Sequence, residues 1–202
     1  MVERKRLQYR AVITFAYNTT SIGLYMQYGM YPRESLYRMV GTSTPAESIK
    51  GDMKPFDYER FQYEQLQDAG DSLTQLRHID ERVLGFSRDR HHEVFLASQG
   101  VACYLIRKHG IPAGYAYLWS DGQIGPLAVV SPESLKDVIT TVINIASAQG
   151  VNYISVTVPG CSEQAIEIAL GHKLRITEPY LLMSSKPFGN WSAYLFHSSV
   201  LM

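Results

Sequence analysis

Apolar and polar side chains alternate over Tyr9–Tyr17, which is also rich in β-branched and aromatic types, and this predicts a half-buried strand. Asn18-Thr19-Thr20-Ser21 follows, a run of good helix N-cap residues, and Ile22, Tyr25 and Met26 then fall on one face of a helix. Gly29 suits a left-handed helix cap and Pro32 stops any continuation, so Ser35–Val40 reads as a second strand. Gly41–Pro55, with its prolines, glycines and polar residues, reads as a linker. Asp57–Leu66 is a further strand. Ser72 then opens a helix with the capping box Ser72-x-x-Gln75 and apolar positions Leu73, Leu76, Ile79 and Val83. Gly85-Phe86 breaks that helix, and Ser87 starts a shorter one reaching about Ser98.

The remaining pattern is regular. Val101–Lys108 and Ala113–Trp119 predict a hairpin turning at His109-Gly110-Ile111-Pro112, and Gln123–Val130 predicts a third strand. Ser131 caps a long helix ending near Gly150, with Pro132 at the first position, where a missing N–H costs nothing. Asn152–Val158 is a strand, Ser162–Leu170 a helix and Thr177–Ser184 a strand, with Trp191–Phe196 as a last one. The order β-α-α-β-β-β-α-β-α-β predicts an α/β fold, a mixed sheet covered by helices on both faces.

Within this order the segment Tyr9–Gly41 recurs in degraded form at Val151–Met183. Placing Gly29 on Gly171, an offset of 142 residues, needs no gap and keeps the strand alternation in phase: Val12, Thr14 and Ala16 fall on Ile154, Val156 and Val158. The same offset puts Asn18, Ser21 and Tyr25 on Gly160, Glu163 and Glu167. The expectation is a β-α-β unit in residues 1–42, left from a first domain, a linker over 43–56 and a second domain over 57–202. An orphan unit of this kind exposes strand edges and an apolar helix face, so either a sheet shared within the chain or a homodimer formed through the unit is expected.

Composition narrows the classes. The 202 residues suffice for one well-packed domain, with 46% hydrophobic and 19% charged residues and zero formal net charge. The lone basic cluster, Arg4-Lys5-Arg6, sits beside Glu3, which argues against a nucleic-acid partner. Two cysteines make no disulfide framework. No apolar run reaches the ~18 residues of a membrane span, and Met1–Arg10 lacks a signal-peptide core, so a cytoplasmic location with no membrane partner is expected.

The element order, together with Asn18-x-x-Ser21-x-x-x-Tyr25-x-x-x-Gly29-Met30, resembles the GNAT acetyltransferase superfamily, in particular the C-terminal part of a tandem GNAT protein. Met30 stands where the family pattern usually has Phe. The resemblance implies a mostly antiparallel GNAT-like sheet and transfer of an acetyl group from acetyl-coenzyme A, as acyl donor, to an amine of a small molecule or a protein. It implies that Tyr25 is the acid protonating the departing thiolate and that Asn18 and Ser21 lie at the donor site. Leu127, Val129 and Val130 would then grip the pantetheine through their backbone, while Arg88 and His91 border the acceptor groove. The family's glycine-rich pyrophosphate loop has no counterpart in Val130–Lys136, which holds Pro132 and Glu133 instead. A non-catalytic acyltransferase-like interaction module is the reading from a different class.

Rival constellations are weaker. Cys161 at a helix N-terminus could serve as a nucleophile with His172 or His197. His91-His92 with Asp89 and Glu93 lacks the spacing that aims two ligands at one ion, so no metal is expected. Glu163 and Glu167, four apart, read as exposed acids, and the turn glycines Gly122 and Gly125 form no phosphate-binding fingerprint.

Overall fold

A computed structural model describes the protein over residues 10–42, 61–66, 70 and 72–198. The linker beyond Thr42 and the start of the strand placed at Asp57 lie outside the described residues. The elements run β1 (Ala11–Phe15), α1 (Thr19–Gln27), β2 (Tyr31–Thr42), β3 (Phe61–Leu66), α2 (Ser72–Leu84), α3 (Asp89–Ala97), β4 (Val101–Lys108), β5 (Ile111–Trp119) and β6 (Gln123–Val129). There follow α4 (Leu135–Ala148), β7 (Tyr153–Pro159), α5 (Glu163–Gly171), β8 (Arg175–Ser184) and β9 (Tyr194–Leu195). They build one mixed, mostly antiparallel sheet in the order β1-β8-β2-β7-β6-β5-β4-β3, with β9 paired to β6. The pairing of β6 with β7 is the parallel one.

β5 shows why helices cover both faces. Tyr115 and Tyr117 point to one side and Ala116 and Leu118 to the other, and all four are buried. On the tyrosine side α2 and α3 bury Leu76, Ile79, Val83 and Phe95. On the other side α4 buries Val138, Ile139, Val142 and Ile143, and beyond its end Gln149 donates to the Tyr104 hydroxyl at 3.1 Å. The hairpin turn is His109-Gly110, both with positive φ.

Three local expectations shift. Ser131 makes no capping bond; Pro132–Ser134 form a 3-10 turn and α4 begins at Leu135. The fixed φ of Pro132 suits that tighter turn. Ser72 lies in the first turn of α2, and Gln75 Oε1 accepts from Arg107 Nη2 at 2.8 Å. Trp191–Ala193 is likewise a 3-10 turn, leaving a two-residue strand after it.

The N-terminal unit is interleaved with the rest of the sheet. β2 lies between β7 and β8 and is antiparallel to both, while β1 pairs with the far side of β8. This is the shared sheet within one chain that the orphan unit demanded. The pairing carries a two-fold relation between β1-α1-β2 and β7-α5-β8, at an offset of 144 residues rather than 142. The helix N-caps are Asn18 and Ser162, 144 apart. β2 skips Arg33 in its register against β8, and β8 skips Thr177 in return, again 144 apart. The hydrogen bond from Ala16 N–H to the Pro179 carbonyl is matched by that from Gly160 N–H to the Ser35 carbonyl. The axis passes through the facing pair Leu36 and Tyr180.

Superposing Gly29 on Gly171 misplaced the repeat by two residues. The left-handed residue ending α1 is Gly29, but its counterpart after α5 is Lys173, a non-glycine residue with φ 61°. A two-residue error leaves strand alternation intact, with Val12 matching Val156 rather than Ile154 on the same face, but it turns a helix by roughly 200° and changes which helix faces correspond. Asn18, Ser21 and Tyr25 therefore match Ser162, Ala165 and Ala169.

Leu36 at the axis is wholly buried. Leu36→Ala should lower stability by about 2–5 kcal/mol in urea titration and retain a single cooperative transition, because the cavity opens where the two units interlock.

Candidate functional site

β6 and β7 run side by side only at Gln123-Ile124 against Ser155-Val156. Beyond that they part, and the chain's own C-terminal segment enters the seam. Leu195 and Tyr194 pair with Leu127 and Ala128 of β6, and Phe196 N–H donates to the Thr157 carbonyl of β7 at 3.0 Å. Gly125, at φ 139°, leaves room for this: a Cβ there would lie 2.4 Å from the Phe196 carbonyl oxygen. Trp191 rings Phe196 at 5.0 Å, and His197 stacks on Trp119 at 4.4 Å.

Tyr194 is also anchored from behind. Arg88 Nη1 donates to its hydroxyl at 2.6 Å, and the guanidinium lies 5.3 Å from its ring centre. The same guanidinium pairs with Asp80, at 3.0 Å from Nε and 3.2 Å from Nη2, and donates to Tyr115. Tyr115 donates to Asp80 at 2.5 Å, and His92 bridges Asp80 (2.9 Å) and the Tyr117 hydroxyl (2.8 Å). All of these side chains are buried. Burial works to raise the Asp80 carboxyl, but the His92 hydrogen bond and the Arg88 charge outweigh it and hold Asp80 below the ordinary carboxylate value. Burial pushes the hydroxyls of Tyr115, Tyr117 and Tyr194 up, so they stay protonated donors.

This geometry corrects the expected role of Arg88 and shows where the other candidates lie. Arg88 does not line a groove for an acceptor; it is buried and fully engaged with Asp80, Tyr115 and Tyr194. His91 is half-buried on α3 with its ring 6.3 Å from Phe95, and burial lowers its pKa. On the side of β6 that faces β7, Leu127 and Ala128 are paired with Leu195 and Tyr194, while Val129 pairs with Gly114 and Val130 N–H bonds to Ala113 on the opposite side, toward β5. The sequence reading missed the buried polar network. Its trace was Asp80, an acid among the buried positions of α2 beside Leu76, Ile79 and Leu84.

The other candidates gather around α1. The Asn18 side chain accepts from Ser21 N–H at 3.1 Å, the N-cap bond its residue type favours. Ser21, Leu24 and Tyr25 occupy the positions that α5 fills with Ala165, Ile168 and Ala169, its buried face. In α1 the face is open: Leu24 is 49% exposed where Ile168 is 7%. β8, β2 and β7 separate β1 from β6 in the sheet, so the structure does not bring Tyr25 to Leu127–Val130.

This arrangement of sheet and helices has solved counterparts. A proposed acetyltransferase of Pyrococcus horikoshii matches 95% of this chain and 60% of its own length, at TM-score 0.68 and 16% identity. A GCN5-related N-acetyltransferase of Sphaerobacter thermophilus matches 92% of this chain and 62% of its own, at TM-score 0.55 and 14% identity. A GCN5-related N-acetyltransferase of Anabaena variabilis matches 86% and 45%, at 0.56 and 12%. The chain has the GNAT fold. It spans less than two thirds of the length of these GNAT structures. No family profile and no curated protein matches it by sequence.

The rival sites fare poorly beside the GNAT comparison. Cys161 N–H donates to Glu34 at 3.0 Å, and burial together with that carboxylate pushes the thiol up to about 11, the reverse of nucleophile activation. Among the described residues there is no group of three or more potential metal ligands, and no helix is long and apolar enough to cross a membrane.

Two measurements follow. Iodoacetamide near neutral pH should label Cys161 slowly, and Cys103, buried and pushed up to about 12, only after unfolding. Fast selective labelling of Cys161 would restore the thiol-enzyme reading. Asp80 has a depressed folded pKa, so its stabilisation is complete above the ordinary carboxyl value and is lost as pH falls through the folded one. Asp80→Asn strands the buried Arg88 charge and should cost about 3–5 kcal/mol at neutral pH, with a flatter thermal stability profile in acid than the parent.

Proposed function

We propose that the protein acts in acyl transfer from acetyl-coenzyme A to an amine, with the reacting centre on the β1–α1 side of the sheet and the β3–β9 body as its scaffold. One observation carries this reading. Of the two seams related by the internal two-fold, the one beside β7 is filled by Tyr194–Phe196, whereas the equivalent edge of β1 has no strand neighbour among the described residues. A thioester donor held by strand-like hydrogen bonds needs strand backbone with a free side, which the edge of β1 beside α1 offers among the described residues.

At that edge the chemistry is simple. The amine lone pair attacks the thioester carbonyl, the C–S bond breaks, and the departing thiolate takes the Tyr25 hydroxyl proton, while the new amide sheds its extra proton to water. Tyr25 is half-buried on the face of α1 that corresponds to the packed face of α5. Ser21, one turn earlier, and Asn18, at the cap, sit where a polar donor would meet the helix start.

The second reading, a non-catalytic acyltransferase-like module, is favoured by the filled seam and by Pro132 and Glu133 where backbone donors to a pyrophosphate are required.

Calorimetric titration with acetyl-coenzyme A separates the two. Heat at micromolar ligand, together with a Tyr25→Phe variant that binds equally well and transfers acetyl about 100-fold more slowly or worse, supports acyl transfer. Silence at millimolar ligand supports the module.

A further inference from the structure

We infer that His197 is a pH-sensitive clasp on the C-terminal segment, that acid loosens it, and that Gln123 of β6 sets the direction of the response. The clasp governs how firmly the Phe196 end is held in the seam between β6 and β7. It operates whether or not the chain transfers an acyl group.

The imidazole sits in a socket drawn from β5, β6 and α3. One face stacks on Trp119 of β5, with ring centres 4.4 Å apart and planes at 26°. Phe95 of α3 lies tilted against it at 5.3 Å. Nδ1 faces two groups of β6, the Gln123 amide nitrogen at 3.2 Å and the Gly125 carbonyl at 3.3 Å. That carbonyl also accepts from Trp119 Nε1 at 2.7 Å, so β6 holds the indole on which the imidazole rests. His197 directly follows Phe196, whose N–H donates to the Thr157 carbonyl of β7 at 3.0 Å. The ring therefore pins to β6 the same short stretch whose backbone bridges to β7.

The socket suits a neutral imidazole. An unprotonated Nδ1 accepts from the Gln123 amide. Once protonated, both ring nitrogens donate, and the Gln123 N–H loses its acceptor. Nδ1–H then has the Gly125 carbonyl, which Trp119 already occupies. Burial lowers the His197 pKa, against weaker support for the charged form from the Gly125 carbonyl and from Asp121 in the β5–β6 turn. Trp119, Gln123, Gly125 and Phe95, which touch the ring, carry no charge. On α3, His91 lies beside Phe95 and burial lowers its pKa too, while His92 turns to Asp80 and Tyr117. Asp89 pairs with Arg77, and Arg90 and Glu93 are exposed.

A histidine with a lowered folded pKa contributes in full above its ordinary value, and that contribution is lost as pH falls from there through the folded value. Local opening obeys the same linkage, because the opened ring binds the proton more readily. Gln123→Glu inverts the sign. Its carboxylate accepts from Nδ1–H and, with Asp121, neutralises the imidazolium, so protonation then tightens the clasp.

The test follows two signals in the whole chain. An imidazolium stacked on an indole quenches it, so Trp119 emission reports protonation. Hydrogen exchange at Phe196 N–H, corrected for its intrinsic rate and referred to Leu105 N–H in β4, reports opening. Between about pH 8 and about pH 5 the Phe196 exchange should rise about threefold or more, alongside an emission change centred below the ordinary histidine value. His197→Gln should remove both pH dependences, and Gln123→Glu should move the emission change above the ordinary value and reverse the exchange trend. Phe196 exchange indifferent to pH, or a dependence that survives in His197→Gln, overturns the clasp. A Gln123→Glu response in the same direction as the parent's overturns the part given to Gln123, and the His197→Gln comparison decides the clasp by itself.

Discussion

The pairing of β2 with β8 is the constraint on which the sheet depends. β8 pairs with β1 and β2 and, among the described strands, with nothing in the body formed by β3 to β7. It joins that body only through β2, which bridges it to β7. Each half of the two-fold therefore completes the other: β2 fills a gap between β7 and β8, and β8 fills the gap between β1 and β2. Removing either would leave unpaired backbone along both neighbours, the costly condition that a sheet interior avoids. A unit that looks like a detached remnant in the sequence is thus a structural necessity of the rest.

Most elements were legible because their periodicities are strong and their boundaries are marked by glycine, proline and capping residues, as at Asn18 and Gly29. The repeat was legible in kind, and its offset was not. Strand alternation has a period of two and cannot distinguish 142 from 144, while the helix ends were tied to glycine although the chain uses Lys173 for one of them. The Asn18 cap was read correctly from residue type alone. The buried network was beyond reach, because Asp80, Arg88, His92 and Tyr194 come from three separate stretches and meet only when α2, α3 and β9 pack on β5. A lone arginine near a helix start reads as a surface contact until burial shows otherwise.

That network explains why the seam between β6 and β7 closes. Inserting Tyr194–Phe196 buries three large apolar side chains completely, each worth ~1.5–3 kcal/mol by transfer from water. A tyrosine among them must then find a partner for its hydroxyl. Arg88 supplies it, and Asp80 neutralises Arg88, with Tyr115 and His92 taking up the remaining carboxylate positions. A buried ion pair of this kind adds little net stability over a well-packed apolar substitute, yet breaking it is costly. It anchors the C-terminal segment in register against Leu127 and Ala128 of β6.

The asymmetry between the two seams then acquires a physical meaning. Both are flanked by the same β-α-β arrangement, but β7 has β6 and the C-terminal segment beside it, whereas β1, among the described residues, pairs with β8. Beside β7, α5 presents Ala165, Ile168 and Ala169, small or aliphatic groups suited to helix packing and to no proton transfer. Beside β1, α1 presents Ser21, Leu24 and Tyr25, which pair an apolar contact with a hydroxyl capable of giving up a proton. The α5 half combines packing residues with a seam filled by Tyr194–Phe196. The α1 half carries hydroxyl-bearing residues and, among the described residues, a strand paired on one side. The polar groups suited to a transfer reaction and the filled seam therefore lie on opposite halves of one two-fold arrangement.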